Sequence, residues 1–575
     1  MLSGISHLHD LVKEGWNHLH LQRPLAAWAT WQRALRLDPG NAEVTDALER
    51  LANAGDLPAA SRAVYRFQAP KSPEKREAWD QHLRETGNLD DLDAALQAFQ
   101  SLIEVDATDV DAWLNCVLCL AWIGRNPEAI KALERVVPLL ASSDPARAAD
   151  SWALGEVLRL GAGAETLADD FRYSWTLPWA DGLGSIGEFV NRWPNLFPAA
   201  IPRIPDTEQI AQTKVFEWLD RPAWASSSPT PRRADVLPRI VAAVIQMPRS
   251  LRVSSPDPTS LALIEHDPKY HEVVRLLALA RREKTPLSLA RADAGLATFK
   301  LPPGLDQEAR AELSRSVVET YYETHWIHLP RQGLDGKSPL DASRAGGRGD
   351  TVARAKLAGV IRFREQLGTR PNVTAVYHGY PFDRLRRRLG LIESNENPGS
   401  LDPADVTCMS EAELDGLELP NLDDATLVEA FQSAVAFQDD ARLVRFAKVL
   451  AGRSLENAGV DLRSVFAPLV RSAMKADDPD VALEWIDRAI ALRTDSEVRR
   501  TFMTWSAEVL ARTGKPEAAL RAYQALLADS SPAALASVAR DGAETLRDNG
   551  HDAEADALIA LTSPHANRES TPNES

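Results

Sequence analysis

Only three cysteines occur among 575 residues. That is too few for a disulfide framework, so packing alone must hold the chain together, and a cytoplasmic protein is expected. Apolar runs of the roughly 18–20 residues that cross a bilayer are missing, so no membrane span is expected. The opening residues, MLSGISHLHDLVKEG, lack a basic stretch followed by an apolar one, and no secretory leader is expected. A surplus of positive charge is missing too. Sixty-five Lys and Arg against 82 Asp and Glu leave a formal charge of −17, which argues against nucleic-acid binding by the whole surface, because phosphates need clustered cations. The chain has no G-x4-G-K-[ST] phosphate loop, no H-E-x-x-H helix and no marked Ser/His/Asp set. What is present is an ordinary globular mixture, 44% hydrophobic and 26% charged, in a chain long enough for three or four units.

The strongest positive signal is small residues returning at near-constant intervals. Near the start come Gly15, Ala27, Trp31, Ala34 and Pro39, then Ala95 and Phe99, then Trp113, Gly124, Ala129 and Leu133; Ala95 and Ala129 stand 34 residues apart. Near the end, Ala482, Ala519 and Ala555 are spaced by 37 and 36, accompanied by Ile486, Ala489, Gly514, Tyr523, Leu526, Gly550 and Ile559. Two helices of about 12–14 residues with their turns need roughly this length. Small side chains belong where paired helices cross, and large ones between the pairs. These positions resemble the tetratricopeptide repeat family, although residues 42–70 are short for a repeat. The resemblance implies α-solenoid segments at both ends, each with a groove lined by the first helix of every pair and suited to a partner's extended peptide or helix. Some family members grip a partner's terminal carboxylate with Lys and Asn on that face. Here the corresponding positions of the 110–143 repeat are Leu114 and Leu118. Two readings follow: they are groove residues for an apolar partner, or they pack against this same chain.

Between the repeats the composition changes. Residues 171–224 hold five tryptophans interrupted by six prolines at 178, 194, 198, 202, 205 and 222. Proline disfavours long helix and strand alike, so residues 166–233 are expected to be an extended, aromatic-anchored segment draped over a neighbour. From 234, VLPRIVAAVIQ and SLRVSS read as strands with a turn at Pro248, and HEVVRLLALARRE (271–283) as a helix. LATFKL (296–301) reads as a strand, and 305–327 as a long helix, giving a small α/β unit. The next stretch carries Trp326, Pro330, Leu334, Gly336, Ser338, Pro339 and Ala342. It resembles a segment of bacterial proteins with SEC-C-type metal-binding tails; the Cys-rich tail itself is absent, so no metal is carried over. Physically it reads as a structural turn: Gly336 permits a tight bend, Ser338 can cap a helix and Pro339 suits its first position.

Charge is also segregated. Residues 331–388 hold thirteen Lys and Arg against five Asp and Glu, and residues 389–440 hold thirteen acidic residues and no basic one. Arg344, Arg348, Arg384, Arg386, Arg387 and Arg388 form a candidate anion-binding patch, with neutralisation inside the protein as the plainer alternative. The acidic block reads as a linker.

Other motifs have simpler readings. Gly182-x-Gly184-x-x-Gly187 matches a dinucleotide fingerprint literally, but the surrounding prolines break the βαβ unit it would need. Cys116-x-x-Cys119 lies among Leu114, Val117, Leu118 and Leu120, which is a core pattern with no second pair for zinc. His325 and His328 with Glu323 could share a helix face, and His266, Asp267, His271 and Glu272 cluster at a helix start; hydrogen bonding and capping account for both sets.

The expected fold class is mainly α, with repeat segments at both ends and a small central α/β domain. The divisions are 1–165 repeats, 166–233 extended segment, 234–390 α/β domain with a basic C-terminal part, 391–425 acidic linker, 426–562 repeats and 563–575 disordered tail. The expected function is a non-enzymatic scaffold or adaptor for protein partners, with no cofactor. The alternatives are a nucleic-acid-associated factor using 331–388 and an enzyme with its site in the central domain.

Overall fold

A computed structural model describes residues 2–69, 89, 91–161, 170–178, 185, 187–188, 195–199, 214–224, 237–256, 280–297, 299–373, 377, 379–392, 403–453, 460–492, 496–531 and 534–562. The chain is mostly helical, with one region of six antiparallel strands. It divides into two compact units, Met1–Glu393 and Ser394–Ser575.

In the first unit, α1 (Leu2–His20) and α2 (Pro24–Leu37) form a hairpin. Gly15 is required at their crossing: a Cβ there would stand 2.1 Å from Trp31 Nε1. The indole N–H donates to the Val12 carbonyl at 3.3 Å, so the ring is both buried and satisfied. α3 (Ala42–Ala52), capped by Asn41, packs on α2. Next come α4 (Leu92–Val105), α5 (Val110–Ile123), α6 (Asn126–Leu140) and α7 (Pro145–Leu160). Each packs on the next, and α5 also packs on α2. Ala27, Ala34, Ala95 and Ala129 are buried, as repeat spacing requires.

The six-stranded sheet consists of β1 (Phe171–Pro178), β2 (Leu196–Pro198), β3 (Lys214–Leu219), β4 (Ile240–Met247), β5 (Ser250–Ser255) and β6 (Arg281–Pro286). Its order is β2-β3-β4-β5-β1-β6, and every pairing is antiparallel. Alternate residues supply the core: Trp175 and Leu177 of β1 lie opposite Val253 and Leu251 of β5 and pack with Trp218, Val241 and Val244. The β4–β5 hairpin turns at Pro248 as the sequence suggests. The extended-segment expectation for 166–233 is corrected. Half the strands of the sheet come from that stretch, because two of the described prolines close strands instead of preventing them: β1 ends at Pro178, and the edge strand β2 ends at Pro198. LATFKL is not a strand; Ala294–Ala297 is a 3-10 turn, and Phe299 makes one isolated bridge to Arg239. Of HEVVRLLALARRE, residues 271–279 lie outside the described residues, and Arg281 to Glu283 begin β6.

The expected helix at 305–327 is present as α8 (Gln307–Thr320), continued by a π turn over Tyr321–His325 and a 3-10 turn over Trp326–His328. Then follow α9 (Pro339–Gly347), α10 (Thr351–Gly368) and α11 (Phe382–Arg388). Gly336 at φ +78° and the Ser338 cap, which accepts from the Asp341 N–H at 3.1 Å, form the turn read from the sequence. α10 is the packing partner of α7, so the 234–390 stretch does not stand apart from the first repeats.

The second unit contains α12 (Asp424–Ala436), α13 (Asp440–Ala451), α14 (Leu462–Lys475), α15 (Pro479–Ala491), α16 (Ser496–Arg512), α17 (Pro516–Ala528), α18 (Leu535–Asp548) and α19 (Asp552–Ala560). Each packs on its successor, and α14 with α16, α16 with α18 and α17 with α19 also touch. Ala482, Ala519 and Ala555 are fully buried. The linker expectation for 391–425 is corrected from Pro403 onward. Short helices at Pro403–Val406 and Glu411–Asp415 bury Val406 and Leu414 and pack on α12. Arg442 of α13 holds Glu411 at 2.9 Å and Asp415 at 2.8 Å, so this acidic stretch is bound down by charge. The tail 563–575 lies outside the described residues.

Candidate functional site

After α3 the chain forms one helical turn, Ala59–Arg62, and then runs extended through residues 63–69. The sequence AVYRFQA alternates: Tyr65 and Phe67 are half-buried, while Val64, Arg66 and Gln68 are exposed. Among the described residues this segment makes no hydrogen bond from its main chain to another main chain. Its main chain is held by a side chain instead. Asn115, fully buried on α5, donates from Nδ2 to the Gln68 carbonyl at 3.0 Å and accepts at Oδ1 from the Gln68 N–H at 2.8 Å. Both main-chain groups of one residue are satisfied by one amide.

The flanking side chains are fixed as well. The Phe67 ring lies 5.0 Å from Phe99 of α4 and 5.1 Å from Trp122 of α5, edge-on to the indole. Arg147 of α7 donates to the Gln68 side-chain carbonyl and is itself held by Asp111 of α5. The Tyr65 hydroxyl donates to the Ala60 carbonyl at 2.9 Å, and burial, reinforced by Asp150 of α7, pushes this phenol above its ordinary range. The arrangement holds this extended backbone through both main-chain groups of Gln68 and through the side chains of Tyr65 and Phe67.

Leu114 and Leu118 flank Asn115 on α5, and both are buried. α5 packs against α2, α4 and α6. Cys116 and Cys119 are buried core residues; burial pushes the Cys116 thiol up to about 12 and the Cys119 thiol upward as well. No group of three metal-ligating side chains occurs among the described residues.

The arginine patch is largely turned inward. Arg384 donates to Glu323 at 2.9 and 3.1 Å, and Arg386 binds Glu365 and Asp383. Arg388 is buried, and Arg387 is half-buried on the same helix. Arg344 sits 3.8 Å from Asp341, and Arg348 is exposed after α9. Glu323 also accepts from the Tyr380 hydroxyl, so it is committed to the core and not to His325 or His328. Gly182 and Gly184 and the His266–Glu272 cluster lie outside the described residues.

Sequence reasoning missed Asn115, although one amide inside the apolar run L-N-C-V-L is a visible anomaly. It also missed a buried clamp in which Asp170 accepts from Arg331 at 2.7 Å and from Arg364. Burial alone would raise the Asp170 carboxyl, but the two guanidiniums outweigh it and hold it at about 2.

Residues 89–149 match the tetratricopeptide repeat family. The matched tetratricopeptide span covers α4, α5 and α6 and therefore includes Asn115, Phe99 and Trp122. No curated protein matches the chain. No helix among the described residues is long and apolar enough to cross a membrane.

Proposed function

We propose that this chain is a protein-interaction scaffold that holds partner polypeptides on its helix-hairpin repeats and catalyses no reaction of its own. The observation that carries the reading is the bidentate hold of Asn115 on an extended main chain, inside a span that matches a repeat family whose members are generally interaction modules. In this reading the hairpins of each unit stack as a solenoid, and the first helix of each pair lines a groove. The ion pairs of Arg384 and Arg386 favour this reading over an anion-binding one, since compensated guanidiniums offer little to phosphate.

The test is in-cell cross-linking of the full chain, followed by affinity purification and mass spectrometry with a nuclease-treated arm. Partner peptides joined to the repeat segments, unchanged by nuclease, are expected. Recovery that disappears with nuclease, or cross-links confined to the strand region, would replace the reading.

A further inference from the structure

We infer that residues 63–69 are a resident ligand: they occupy the site that a partner's extended segment takes, and a partner carrying aromatic-x-aromatic followed by a polar residue binds by displacing them. The inference rests on the proposed role of the repeats in holding polypeptide and adds what is held and what stands in its way.

The segment is held as a bound peptide is held. A core strand would share its main-chain hydrogen bonds with neighbouring strands, but this one shares none with any described main chain, and Asn115 recognises it through groups that every peptide possesses. Its inward side chains are two aromatics, two residues apart, and its outward side chains face solvent, Val64 being 63% exposed. The upstream end is fixed elsewhere: the Ala60 N–H donates to the Gln366 side-chain carbonyl of α10 at 3.0 Å, and Arg370 donates to the Asp56 carbonyl at 2.9 Å. The strap can therefore lift from Ala63 onward while its root stays in place.

Asn115 also explains why exchange is favoured over simple opening. The amide lies in an apolar helix between Leu114 and Cys116, so losing Gln68 without a replacement strands a buried donor and a buried acceptor. A second extended backbone restores both hydrogen bonds at once. A tethered competitor acts at an effective concentration on the order of millimolar, so the resident strap sets the threshold that a partner must exceed.

The probe is a fluorescein-labelled synthetic peptide with the sequence of residues 60–70, followed by fluorescence anisotropy on the full chain. F67A weakens the resident strap, so that chain is expected to bind the peptide roughly tenfold or more tightly than the unaltered chain. The gain is expected to disappear in F67A/N115A and with a probe whose two aromatics are alanine. Equal binding by the unaltered and F67A chains, or full binding by F67A/N115A, overturns the inference. A second measurement needs no variant. Excess unlabelled peptide should speed hydrogen exchange at the Gln68 N–H of the full chain, the amide of this segment that Asn115 holds, while α5 stays protected, and no change there also overturns it. Partners cross-linked to the repeats without any peptide effect would sink the resident ligand alone. Peptide exchange without cellular partners would sink the scaffold reading instead.

Discussion

Gly15 and Trp31 show how one residue pair fixes a helix crossing. An added methyl at Gly15 meets the indole itself, so Gly15→Ala is expected to cost about 1–3 kcal/mol by overpacking, read as a lower midpoint in thermal unfolding. Trp31→Phe in the same chain should recover part of that loss, and an unchanged midpoint for Gly15→Ala would sink the account. The cysteines permit an equally local check. Cys116, Cys119 and Cys408 are all buried, and the Cys116 thiol sits near 12, so the folded chain should resist a thiol reagent at pH 8 and react with three equivalents only in denaturant. At this scale the sequence is least legible around α5. Leu114 and Leu118 stand where some tetratricopeptide repeats carry Lys and Asn, whereas here Asn115 beside them holds the main chain of Gln68. A single amide gives no periodicity to detect, and its partner segment, 63–69, looks like a connecting loop because its hydrogen bonds go to a side chain.

Helices and strands were legible to different degrees. The repeat helices could be read because burial of Ala482, Ala519 and Ala555 at crossings is a local requirement that recurs. Their starts share a device as well: Asp91, Asp109, Asp144, Asp350, Asp423, Asp439, Asp461 and Asp478 each accept a main-chain N–H as a helix N-cap. Part of the acidic surplus is thus spent where helix dipoles favour it. Asp350→Ala, which uncaps α10, is expected to cost about 1 kcal/mol, and Asp350→Asn should retain most of the stability; equal melting of the two variants would contradict the cap. The strands before residue 234 were not legible, because a count of prolines does not say where each proline falls. Its position decides the outcome: a proline as the last residue of a strand removes no hydrogen bond that the strand needs.

At the scale of the molecule, the first unit is held by charges that join distant parts of the sequence. Asp170, ahead of the sheet, binds Arg331 and Arg364 of the following helical part. Its carboxyl is depressed when folded. The stability it contributes is therefore fully present above the ordinary aspartate range and lost as pH falls through about 2. Asp170→Asn strands two buried guanidiniums and is expected to cost about 3–5 kcal/mol at neutral pH. The gap between this variant and the unaltered chain should be flat above about pH 5 and narrow steadily below pH 4. A pH-independent gap would show that packing, and not the ion pairs, explains the loss.

The seating of α10 on α7 bears on how this protein is made and divided. Ala149, Trp152 and Ala153 of α7 are buried in the finished unit, yet their covering helix begins only at Thr351. During synthesis the ribosome must deliver the whole strand region before that apolar stripe is covered. A fragment cut at residue 165, where composition invites the cut, should self-associate on a sizing column, whereas one extended to 393 should elute as a compact species.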